Sequence, residues 1–140
     1  MKVTGTNIEN VSRKFGKIYV GSIVIDGLLK DGDTIGHSLQ VIHRPGHMPG
    51  HISLYDKEHL ILIDGNILFN SILNIDGPFI PPSAVTKDWQ TSIISARRLL
   101  DLKFEKLLLA HQSNPILEYA QQMIEKAVSV AIAQKNSTAK

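Results

Sequence analysis

The 140-residue sequence predicts an α/β fold, one sheet with two helices packed on the same face. Two observations carry this. Short runs rich in β-branched and aromatic residues crowd the first half of the chain, and the second half runs helix, strand, helix. No repeat and no linker interrupts that order, so residues 1–140 are expected to form a single domain or a fraction of a larger one, with about 1–15 and 134–140 flexible.

The elements follow from local chemistry. Lys17 to Val20 and Ile23 to Ile25 read as strands on either side of Gly21, and Asp31-Gly32-Asp33 is a turn signal. Ser38 to His43 alternates, with Leu39, Val41 and His43 on one face. Arg44 to Gly50 holds two prolines and two glycines in seven residues and cannot continue a ladder. His51 to Tyr55 is the next strand, and His59 to Ile63 is a continuous apolar run suited to a strand covered on both faces. A helix is expected from Thr86 as N-cap, with Trp89, Ile93, Ala96 and Leu100 on its apolar side. Lys106 to Ala110 is a short strand. Asn114-Pro115 then starts a second helix, with Ile116, Ala120, Met123, Ala127 and Ala131 in one stripe.

Composition narrows the function. Net charge is +2 and the basic residues are scattered, which argues against nucleic acid and against an acidic membrane surface. No apolar run approaches the roughly 20 residues of a membrane span. Residues 1–12 carry no apolar segment of a signal peptide, and a cytoplasmic location is expected. Cysteine is absent, so disulfides and thiolate ligands are excluded and histidine and carboxylates remain as metal donors.

Three places could carry chemistry. His47 and His51 lie in Pro45-Gly-His-Met-Pro-Gly-His51, a turn between two strands in which glycines let the backbone fold closely around a ligand. Asp64-Gly65-Asn66 ends the buried strand, where open α/β sheets place polar groups. His111 follows the strand Leu107 to Ala110. Taken alone, the Asp64 turn is an ordinary turn and His111 an ordinary hydrogen-bonding residue. The paired histidines with two turn formers are uncommon by chance and favour function. His37, His43 and His59 have no such context, and Asp31 and Asp33 read as turn formers.

On these pieces the chain resembles the second half of metallo-β-lactamase-superfamily hydrolases, including glyoxalase II-like enzymes. The matching stretches are Asp31-Gly-Asp33, Leu39 to His47, Gly50 to Tyr55, Leu60 to Phe69 and Leu107 to His111. The resemblance implies the C-terminal half of an αβ/βα sandwich with a mostly antiparallel, mixed sheet. It implies zinc as cofactor, with His47 and His111 as ligands and Asn66 at the position of a bridging aspartate. His51 and Asp64 would support these from behind. The implied reaction is attack of a metal-bound hydroxide, whose pKa the ion lowers to about 7, on a carbonyl-type substrate.

The chain departs from that pattern twice. The family's His-x-His-x-Asp-His motif is missing, since no two histidines here have one residue between them. Asn66, a neutral amide, stands where a carboxylate would offset two dications. A catalytic zinc takes about three protein ligands, and this chain offers each ion no more than one strong donor. The expectation is therefore a metal-dependent hydrolase that is inactive as an isolated chain, or else a non-catalytic assembly module that retains the fold. The inner sheet face, drawn from Leu39, Val41, Ile52, Leu54, Leu60, Leu62 and Leu108, would lack its partner half. A homo-oligomer or a separately encoded N-terminal half is expected to cover it.

Overall fold

The computed structural model of the protein describes residues 27–69, 78–110, 116 and 118–138. The expected strands at 17–20 and 23–25 and residue His111 lie outside them. The described residues form a five-stranded sheet in sequence order: β1 (Thr34–Ile35), β2 (Leu39–His43), β3 (Ile52–Asp56), β4 (Ile61–Asp64) and β5 (Lys106–Leu109). The first four strands pair antiparallel, and β5 joins β4 in parallel. Between β4 and β5 runs α1 (Trp89–Arg97), continued by a 3-10 turn at Arg98–Asp101. After β5 comes α2 (Ala120–Thr138).

β1 is too short to stand out by alternation. It exists because Gly32, at φ +87, turns the chain back so that its N–H reaches the Val41 carbonyl at 2.8 Å. Asp31 stays at the turn and accepts the His43 N–H at 2.6 Å.

β4 begins later than the apolar run suggests. Leu60 takes a left-handed conformation, φ +54, and its carbonyl accepts the N–H groups of Glu105 and Lys106 at 2.9 and 3.1 Å. The extended alternation therefore starts at Ile61.

The register separates the two faces. Val41, Leu54, Ile63 and Leu108 form one row across four strands, and Tyr55, Leu62 and Leu107 form the adjacent row on the opposite face. The second row packs with Ile42 and Leu109 against Ile93, Ala96 and Leu99 and against Ala120, Ile124, Ala127, Val128 and Ala131 of α2. Both helices thus cover one face, and burying each large side chain there contributes about 1.5–3 kcal/mol. This corrects the expectation for Leu62 and Leu60. Leu62 is fully buried on the helix side, and Leu60 precedes the strand. On the other face Leu39, Ile52, Leu54, Ile61 and Ile63 are half-buried and Leu108 is exposed, whereas Val41 is fully buried.

The helices start later than their sequence signals. Thr86 donates its hydroxyl to the Pro81 carbonyl at 3.1 Å, and Asp88 is the N-cap of α1, accepting the Thr91 N–H at 2.9 Å. Ile116 is not in α2. It exchanges two backbone hydrogen bonds with Leu107, at 2.9 and 2.8 Å, and widens the sheet by one bridge. Tyr119, at φ +57, then redirects the chain and α2 begins at Ala120. No helix among the described residues is long and apolar enough to cross a membrane.

Candidate functional site

Topology brings the singled-out residues to one edge. β2 and β4 both end there and β3 begins there, because neighbours are antiparallel. β5, parallel to β4, ends there as well. His47 lies in the loop between β2 and β3, His51 immediately precedes β3, and Asn66 follows β4. His111, beyond the described end of β5, lies outside the described residues.

The His47 loop is closed at its mouth by the Arg44 N–H donating to the His51 carbonyl at 2.8 Å. Gly46 sits at φ +136, and a Cβ there would collide with the backbone of Ser92 in α1. Only glycine lets the loop lie this close to the helix. The His47 ring then stands 6.1 Å from the Phe69 ring, centroid to centroid, and 6.4 Å from that of His51 in an edge-on arrangement.

The loop after β4 is held by Asp64 and His51. Asp64 is fully buried, with its Oδ1 accepting the Ser53 hydroxyl at 2.5 Å and its Oδ2 accepting the Leu68 N–H at 3.1 Å. Burial pushes its carboxyl up to about 6 against the opposing pull of those hydrogen bonds and of Arg44. His51 Nε2 accepts the Asn66 N–H at 2.6 Å. Burial, and the neighbouring His47 and His43, bring His51 down to about 4, against a backbone contact with Arg44. A neutral ring is what this bond needs, because a proton on Nε2 would face the Asn66 N–H. Gly65 makes room for it, since a Cβ there would lie 2.5 Å from His51 Nε2.

The Asn66 side chain reaches His47, with Nδ2 3.3 Å from Nε2. His47, His51 and Asn66 thus meet, and Asp64 is buried two residues before Asn66, holding Ser53 and Leu68. His43 and His59 stay apart from them: His43 Nε2 is 2.7 Å from the Pro49 carbonyl, and His59 Nδ1 is 2.8 Å from Asp56 Oδ2. Sequence reasoning missed Arg44, Ser53 and Ser95, which hold the site loops. Ser53 could have been found. It alternates with Tyr55 on the face that packs against the helices, and a polar side chain in such a position needs a partner there.

No family model matches the chain. The acyl-coenzyme A thioesterase MBLAC2 of Gallus gallus is 37% identical over 91 residues, which cover 60% of this chain and 30% of that protein. Among solved structures, a metallo-β-lactamase family protein from Thermus thermophilus superposes with a TM-score of 0.59 at 25% identity, over 78% of this chain and 36% of its own. A protein solved in a di-iron-bound form superposes with a TM-score of 0.60 at 25% identity, over 84% of this chain and 55% of its own. These matches all point to the metallo-β-lactamase superfamily, and the chain is similar to part of its fold. The match to the curated relative covers less than a third of that relative's length.

The superfamily implies a metal, and the side chains of this metallo-β-lactamase-type edge can be tested against that demand. Among the described residues no three His, Cys, Asp or Glu side chains come together closely enough to hold a cation. The lone pair of His51 Nε2 is committed to the Asn66 N–H, and both oxygens of Asp64 are engaged by Ser53 and Leu68. Asn66 is neutral, and its amide lies against His47. The described donor set does not fit a metal centre.

Proposed function

We propose that this chain is the non-autonomous part of a metallo-β-lactamase-fold thioester hydrolase, inactive until a second polypeptide supplies the missing His-x-His-x-Asp-His motif. In the assembled site His47 and His111 would be zinc ligands and Asn66 a weak contact, with His51 and Asp64 setting the loops that carry them. The observation that carries this reading is the meeting of His47 and Asn66 at the strand edge, at 3.3 Å, without a third anionic or imidazole donor free to join them among the described residues. A thioester substrate is supported by the activity named for the Gallus gallus relative. The row of Leu54, Ile63 and Leu108 supports the place of assembly, because these side chains lie on the face away from the helices.

The test is metal analysis and acyl-coenzyme A hydrolysis by the purified chain, alone and with a polypeptide carrying the motif. Far less than one zinc per chain and no turnover alone, with chelator-sensitive turnover on addition, is the expected result. Stoichiometric zinc and turnover by the chain alone would overturn it.

A second reading, a non-catalytic assembly module, is favoured by the neutral amide at position 66. It predicts a complex that forms with the complementing polypeptide and binds no zinc.

A further inference from the structure

We propose that Arg44 is the positioning residue of the His47 loop, docking it onto α1 through the carbonyls at the helix's C-terminal end. This rests on the reading of His47 as a site residue, but the contacts themselves are independent of it. Arg44 is 2% exposed, and its guanidinium donates from its two terminal nitrogens to the carbonyls of Ser95 and Arg98, each at 3.4 Å. Those carbonyls belong to the last turn of α1 and the 3-10 turn after it, the negative end of the helix dipole.

From Arg44 onward the loop runs back along the same helix. The Ser95 hydroxyl donates to the Pro45 carbonyl at 2.6 Å, the Asp88 N–H to the Gly46 carbonyl at 2.9 Å, and the Lys87 N–H to the His47 carbonyl at 3.1 Å. Four successive residues, Arg44 to His47, are thus registered against residues 87–98. His47 sits at the far end of that register, and Arg44 sets its origin.

Stability alone does not explain a cation in this place. Its hydrogen bonds are at the long limit, and its Nε has no partner among the described residues. Burial and the neighbouring Arg98 work against its charge, while Asp64, Asp31 and Asp101 favour it. Replacing it by an apolar side chain removes that desolvation cost together with its two hydrogen bonds. What an apolar side chain cannot supply is a fixed donor fork on two specific carbonyls.

The experiment is residue-resolved amide hydrogen exchange on the full chain, wild type against Arg44→Met, with denaturation midpoints measured in parallel. The amides of Lys87 and Asp88 report the docking directly, because they donate to His47 and Gly46. Exchange at these two sites about ten-fold faster or more, with Tyr55 and Leu62 unchanged and the midpoint preserved, is expected. Unchanged exchange at Lys87 and Asp88, or an acceleration shared equally by the core strands, would overturn the assignment. If the Met variant does not fold, Arg44→Lys keeps the charge and loses the fork. It should show the same selective release, and wild-type protection in it would overturn the proposal. No metal and no turnover enters this readout, so it stands or falls separately from the hydrolase reading.

Discussion

The backbone N–H of Asn66 donates to Nε2 of His51 at 2.6 Å, so the loop after β4 hangs from the residue that opens β3. His51 is thereby occupied in holding the backbone. Removing it leaves a part-buried N–H without its acceptor, at a cost of about 1–3 kcal/mol. His51→Ala should lower stability by that amount in urea denaturation and shift the Asn66 amide resonance. His51→Gln, which can still present an acceptor, should cost less. Equal losses in the two variants would count against this role.

Stability of the metal-free chain should respond to pH through two groups of opposite sign. Asp64 is raised from 3.8 to about 6, so the native state holds its proton more tightly than the unfolded state. Its contribution is complete below about pH 4 and is lost as pH rises through 6. His51 is lowered from 6.5 to about 4, so its contribution is complete above 6.5 and is lost as pH falls toward 4. Between pH 4 and 6 the two offset each other. Asp64→Asn should therefore leave a stability that climbs from pH 4 to 6.5, and His51→Gln one that declines over pH 4 to 6. Parallel pH profiles for the two variants would contradict this assignment.

Asn66→Asp places a carboxylate beside His47, where the amide now lies 3.3 Å from Nε2. A charged oxygen donor is a far better partner for a dication than a neutral amide. Zinc titration of the complex assembled with the motif-carrying polypeptide should show affinity increased about ten-fold or more over the complex with the wild-type chain. No gain would mean that position 66 does not face the ion.

Gly46→Ala should be among the most damaging single substitutions in the chain. The added methyl meets the Ser92 backbone, and φ +136 disfavours any side chain. A loss of about 3 kcal/mol or more in denaturant unfolding is expected. Gly50→Ala, with nothing within 4 Å of the added atom, is the matched control and should cost little.

Tyr119 offers the opposite test. It is 71% exposed and held at φ +57 immediately before α2. Tyr119→Gly removes the conformational penalty and little packing, and a gain of about 0.5–1 kcal/mol in stability is expected. A loss would show that the ring makes contacts worth more than the strain.

Much of this architecture was legible in the residues. The expected strands Ser38 to His43 and His51 to Tyr55 lie within one residue of the observed β2 and β3, and the helix–strand–helix order of the second half holds. What escaped was set by backbone conformations that sequence signals do not announce. Leu60 and Tyr119 take left-handed backbone without being glycine, and each delays the element that follows it. Ile116 has the spacing of a helical stripe yet pairs with Leu107, because the edge of β5 offers open hydrogen-bonding groups. At the site, the loops bearing His47 and Asn66 were visible from their glycines. The grip of Arg44 on Ser95 and Arg98 was not, since it joins residues more than fifty positions apart.

The parallel pairing of β5 with β4 has a consequence for biosynthesis. A nascent chain that has emerged only as far as Asp64 can form the antiparallel ladders of β1 to β4, all of them local. The side of that ladder bearing Tyr55 and Leu62 must then wait, uncovered, until α1 and α2 have left the ribosome. During that interval it is a ready target for chaperones. Truncations ending between residues 65 and 105 should accumulate as aggregates rather than as smaller folded proteins.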